Sequence, residues 1–164
     1  MLSRTAENLF WMARSMERAE NTARMLDVSF RMALLPSTLD KQALHFEPIL
    51  AIAPGDGRFG ELYGELTHET IVRYVALEPA NPASIWSLIK RARENARAQR
   101  SAISSEAWES LNSTWLQVQN LDFAGLTRWG YRDFFDWVKE RSHLFRGVVF
   151  GTMLHDDAFR FIRI

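Results

Sequence analysis

The chain contains no cysteine. Disulfides, thiolate metal sites and cysteine nucleophiles are therefore excluded, and a reducing compartment fits. Long apolar runs are also lacking. GVVFGTML, at 147–154, is among the longest and falls far short of the roughly 20 residues a membrane-spanning helix needs. Neither sign of charge is in excess: 20 basic and 20 acidic residues give a formal net charge of zero. No overall field draws such a chain to nucleic acid or to an anionic membrane. The opening MLSRTAENLF carries charge where a secretory signal has its apolar segment. Together these absences predict a cytoplasmic protein with no membrane span and no nucleic-acid partner. Convincing period-two alternation is missing as well, so no stretch reads as a β-strand.

What is present is enough for one real core. The chain has 164 residues, 47% apolar, with 11 Phe and 6 Trp, a composition that argues against disorder. Residues 3–34 hold neither Gly nor Pro and read as one helix, roughly 45 Å long at ~1.5 Å per residue. Leu9, Met12, Met16, Ala19, Ala23, Leu26, Phe30 and Leu34 fall on one face. Ser3 or Thr5 is the expected N-cap, and Pro36 should stop the helix by about Leu35.

The flank beside this apolar stripe is polar in a pattern that solvation alone does not require. Glu17, Asn21 and Arg24 line up at successive turns, Glu20 faces Arg24, and Arg14 precedes Glu17 and Arg18 by one turn. Asp27 encroaches on the apolar stripe, while Phe10, Ala13 and Val28 share the polar sector. Partial burial of the charges is therefore expected. Two readings stay open: an ion-pair network that fixes the register of a bundle, or a polar site in which Glu17, Arg18 and Arg24 meet a ligand or partner. A buried pair is weak evidence for stability, because desolvation offsets the Coulomb attraction.

Further along, 40–53 reads as a shorter helix containing Pro48, with Leu44, Ile49, Leu50 and Ile52 apolar and a lone His45. Residues 54–67 hold four of the eight glycines and read as loop, without the Lys-Ser/Thr of a phosphate-binding loop. Thr67 should cap a helix over 68–77. THETIVRY lacks the second histidine of a zinc helix, since Val72 stands there. Asn81-Pro82 signals a helix over 83–103 whose core face carries Ile85, Leu88, Ile89, Ala92, Ala96 and Ile103. Its other face presents Lys90, Arg93, Arg97 and Arg100 with Glu94 alongside, either a solvated face or a second candidate contact for anions.

Ser104 or Ser105 starts a helix with the stripe Trp108, Leu111, Trp115, Val118, and 121–130 reads as a connection. A last long helix covers 131–154. Phe134, Trp137, Val138, Arg141, Leu144, Phe145, Val148 and Met153 trace one side, and Gly147 with Gly151 suggests a close helix approach. His155-Asp156 resembles the dyad of HD phosphohydrolases but lacks that fold's further ligands. No metal, cofactor or catalytic motif is complete.

Three blocks carry a family resemblance: ENLFWMARSMERAENTARMLDV at 7–28, NPASIWSLIKRARENARAQR with SSEAWESLN over 81–112, and GVVFGTMLHDDAFRFIRI at 147–164. In this order they resemble the alpha-E family, bacterial all-helical proteins named for a Glu-Arg motif that falls here on Glu17-Arg18. The resemblance implies an accessory role beside ATP-grasp-type ligase-like and transglutaminase-like proteins, in making, modifying or cleaving amide bonds. No catalytic mechanism and no cofactor comes with it. Family members usually carry a second Glu-Arg segment in another half, so 1–164 is expected to be one helical domain, the N-terminal half of a two-repeat protein, with 159–164 a helix start.

The expected fold is all-α: an antiparallel bundle of about six helices around a central first helix. Self-association follows if such a half exposes an apolar face. The preferred function is an interaction module with Arg14, Glu17, Arg18, Glu20, Asn21 and Arg24 as its polar feature and Arg93, Arg97 and Arg100 as a second basic face. The alternative is an enzyme in which Glu17 or Glu20 acts as general base and arginines orient an anionic peptide or phosphate. No His, Cys or activated Ser stands near these residues in the sequence, which disfavours it.

Overall fold

The computed structural model describes residues 3–33, 49–50 and 58–163. The described residues are helical throughout apart from short connections. Helix α1 runs Ser3–Ala33, α2 Arg58–Tyr63 and α3 His68–Val72, the last continuing as a π turn over Arg73–Leu77. Then follow α4 (Ile85–Ala98), α5 (Ser105–Val118), α6 (Phe123–Trp129), α7 (Tyr131–Thr152) and α8 (Asp157–Arg163). Helix α1 packs on α4, α7 and α8, while α5 bridges α4 and α7. The first helix is central to an all-α bundle.

The apolar period of α1 explains that position. Leu9, Met12, Met16, Ala19, Ala23 and Leu26 are fully buried. The core face of α4 behaves likewise, with Ile85, Leu88, Ile89, Ala92 and Ala96 inaccessible. Both buried faces include alanines, which lets helix axes approach closely.

Helix starts follow local side-chain chemistry. Thr67 and Thr70 form a capping box, and Ser84, Ser104 and Asp122 each accept a backbone N–H of the first turn that follows. Each such cap contributes about 1 kcal/mol. Gly130, at φ +97°, is the sole residue between α6 and α7. That backbone region favours glycine, so the corner between the two helices depends on it.

Several expectations need correction. Asn81 does not cap α4: its side chain donates to the Tyr74 carbonyl and accepts from the Ala83 amide, a buried turn that delays the helix until Ser84 can cap it. Helix α4 ends at Ala98, well before Ile103. The glycine-rich 54–67 segment contains α2, and the supposed connection 121–130 contains α6, nucleated by Asp122. These two short helices raise the number above six. Ser3 and Thr5 both lie inside α1. Trp108 and Trp115 are half-buried where the stripe of α5 predicted core. Among the described residues Gly147 and Gly151 mark no close approach: both are exposed, and no described atom lies within 4 Å of an added Cβ at either. The helix over 40–53, with His45, falls largely outside the described residues; within it Ile49 is buried.

Candidate functional site

The polar flank of α1 divides into two parts. The inner part is a seam against α7. Glu20 is buried, and its Oε1 accepts from Arg24 Nη2 at 2.7 Å and Nε at 3.1 Å, and from His143 Nε2 at 3.1 Å. Its Oε2 accepts from Ser142 Oγ at 2.8 Å and pairs with Arg146 Nη2 at 2.9 Å. Two turns on, buried Asp27 pairs with Arg31 at 2.9 Å and with Lys139 Nζ at 3.2 Å. Lys139 also holds Asp136 at 2.6 Å. As α1 advances from Glu20 to Asp27, α7 retreats from Arg146 to Lys139. The seam thus aligns the two helices antiparallel, rung by rung.

The seam's electrostatics set what its carboxylates can do. Burial alone would raise the Glu20 carboxyl. Hydrogen bonds from Arg24 and Ser142, the Arg146 charge and the His143 bond overcome it and hold the group at about 2, against an ordinary 4.5. Burial likewise opposes ionisation of Asp27, and its bonds to Arg31 and Lys139 win, keeping it below the usual carboxylate range. Glu20 is therefore a fixed anion, far too weakly basic to take a proton near neutral pH.

His143 gains a defined tautomer from this neighbour. An ionised carboxylate only accepts, so Nε2 carries a proton, and in the neutral ring the lone pair is on Nδ1. The 3.3 Å approach of Arg24 Nη2 to the same Nε2 then sets two donors side by side and is no hydrogen bond.

The outer part is a rim. Glu17 pairs with Arg14, and both side chains are about two-fifths exposed, at 43% and 39%. Arg18 is half-buried and Asn21 exposed. Arg14 and Glu17 border a groove of about 320 Å³ between α1, α7 and α8. Met16, Phe145, Val149, Phe159 and Ile162 give it apolar walls, and Arg146 and Arg163 add charge.

The structure thus pairs Arg14 with Glu17 and Glu20 with Arg24 as two separate contacts, and Glu17 and Arg24 do not pair with each other. The second basic face behaves differently. Arg93 binds Asn112 Oδ1 at 3.2 Å and Glu94 at 2.6 Å and lies over Trp108, as does Arg100. Arg97 is exposed. Arg93 and Arg100 chiefly cover an indole ring. Among the described residues no group of three or more His, Asp or Glu side chains stands close enough to hold a metal ion. His155 stacks on Phe159 at 4.2 Å, and Asp156 accepts the Phe159 amide at the start of α8, so this pair is structural.

Sequence reasoning missed Lys139, Ser142, His143 and Arg146, and with them a histidine and a serine beside Glu20. A signal existed: Lys139, His143 and Arg146 recur at helical spacing, matching the seven-residue interval from Glu20 to Asp27. Arg141, read as one side of the helix, ties α7 to α5 through Thr114 Oγ1 at 2.9 Å and Ser113 Oγ at 2.8 Å.

No helix among the described residues is long and apolar enough to cross a membrane. Comparison with curated proteins and with solved structures finds no match. A family model does match, over residues 1–164, and is described as a predicted alpha-helical domain with a conserved ER motif. The chain carries that dipeptide twice, as Glu17-Arg18 on α1 and Glu140-Arg141 on α7, the two helices joined by the seam. With its all-α bundle and the match along its whole length, the chain belongs to the Alpha-E family.

Proposed function

We propose that this chain is an accessory interaction module, acting in the cytoplasm beside an ATP-grasp-type ligase-like or a transglutaminase-like protein in amide-bond synthesis or modification. The observation that carries the reading is the saturation of Glu20. The most buried carboxylate of the polar motif has five hydrogen-bond or charge contacts, all to side chains of α1 and α7, and is held ionised. It serves as an anchor. The groups left for a partner are those of the rim, Arg14, Glu17 and Arg18 with Asn21. Leu144, Phe150 and Leu154 are exposed on and just after α7, which also supports contact with a second copy.

A pull-down tests this, using purified ligase-like and transglutaminase-like candidates. Wild-type chain is compared with Glu17→Gln/Arg18→Gln, and helicity is followed by circular dichroism. Loss of the partner with helices retained is expected. Unfolding of the variant would make the motif scaffolding and sink the proposal.

The Glu20–His143 contact favours a second reading, an enzyme acting on an anionic peptide or phosphate. There Glu20 orients the imidazole, and Nδ1 of His143, on a half-exposed ring, is the base. Glu20 itself is excluded from that role by its low proton affinity.

A further inference from the structure

The groove between α1, α7 and α8 has more positive than negative charge at its rim. Arg14 is matched by Glu17, and Arg146 shares Glu20 with Arg24. Arg163 has no carboxylate partner among the described residues; its guanidinium lies over the rings of Phe159 at 5.6 Å and Phe150 at 5.9 Å. A guanidinium seated on two rings is oriented and partly desolvated, while its N–H edges stay available. The groove volume, about 320 Å³, lies at the small end for ligand sites. Its walls are mostly apolar.

We infer that this groove binds a molecule ending in an apolar side chain beside a terminal carboxylate: the C-terminal residue of a peptide, or an N-acylated apolar amino acid. The inference rests on the accessory reading, to which it adds a ligand class. The apolar side chain lies against Phe145, Val149 and Phe159, and the carboxylate meets the Arg163 fork. A planar monoanion matches the one rim guanidinium that has no carboxylate partner among the described residues. Arginine meets a planar carboxylate with two parallel hydrogen bonds, which adds direction to the attraction.

The test is calorimetric titration of the folded chain with N-acetyl-L-phenylalanine, N-acetyl-Ala-Ala-Phe, the C-terminal amide of each, and phenyl phosphate. Both acids should bind, each about tenfold more tightly than its amide, as expected for losing a charge-assisted hydrogen bond. Tighter binding of the peptide acid assigns the site to chain ends, and equal binding assigns it to the small acid. Arg163→Gln, checked by circular dichroism, should weaken the acids and leave the amides unchanged. Equal binding of acid and amide, tighter binding of phenyl phosphate, or indifference to Arg163→Gln would each overturn the inference. If neither acid binds while Glu17 and Arg18 still govern partner capture, the ligand class is wrong and the accessory reading stands.

Discussion

Glu17 and Glu20 stand one turn apart on α1, yet their side chains are 43% and 6% exposed. Glu17 answers to one arginine on its own helix. Glu20 collects donors from two helices and locks α1 to α7. Both belong to the same polar stripe in sequence, and the neighbour each meets makes one a structural anchor and the other an accessible rim group. Polarity on a helix therefore says little about role until the opposing helix is known.

That contrast breaks first, if it breaks, at Glu20→Gln. An amide cannot accept from all the donors around it, and the half-exposed cations lose the buried anion they share. A loss of about 3 kcal/mol in urea unfolding is expected, at the low end for a broken buried pair because Arg24, His143 and Arg146 can turn toward water. A loss under about 1 kcal/mol, within the range of an exposed pair, would remove the distinction from Glu17.

Acid sharpens the comparison next. The folded-state affinity of Glu20 for a proton is depressed, so the stability it contributes is complete above its ordinary 4.5 and is lost as pH falls toward about 2. The difference in unfolding free energy between wild type and Glu20→Gln should shrink through that window, as read by urea titrations at stepped pH. A pH-independent difference would mean that the carboxylate is not ionised in the seam.

Glu17→Gln should give the smallest effect, a few tenths of a kcal/mol in the same titration, as for other exposed pairs. A cost approaching that of Glu20→Gln would turn the rim into scaffolding.

Much of this fold is legible in local sequence. The α1 stripe as far as Leu26 and the core of α4 follow from helical period, and Thr67, Ser104 and the Glu20–Arg24 pair follow from short-range chemistry. On α7 Phe134, Val138 and Phe145 are buried as the period predicts, whereas Leu144 is exposed and Phe135 and Val149, outside the predicted stripe, are buried. What was not legible depends on partners far along the chain. Ser142 meets Glu20 from 122 residues away, so no local rule assigns Glu20, rather than Glu17, the buried place. Asn81 misleads for a similar reason: its cap signal is local, but the Tyr74 carbonyl claims its side chain. Gly147 and Gly151 show the converse, a local small-residue pattern with no helix opposite among the described residues to give it meaning.

The alanines on α1 carry a consequence for how the bundle finds its register. Ala19, Ala23, Ala92 and Ala96 are wholly buried on the two central helices and have no rotamers to lose, so packing them orders little beyond backbone. The alanines by themselves give a smooth surface, interrupted on the same faces by Met12, Met16, Leu88 and Ile89. The seam with α7 is the opposite. Arg24, Lys139 and Arg146 each give up rotamer freedom worth as much as about 2 kcal/mol if fully fixed, and they regain it as contact at one alignment. Low-entropy-cost alanines let α1 come close, and the charged rungs join the larger core side chains in favouring one alignment.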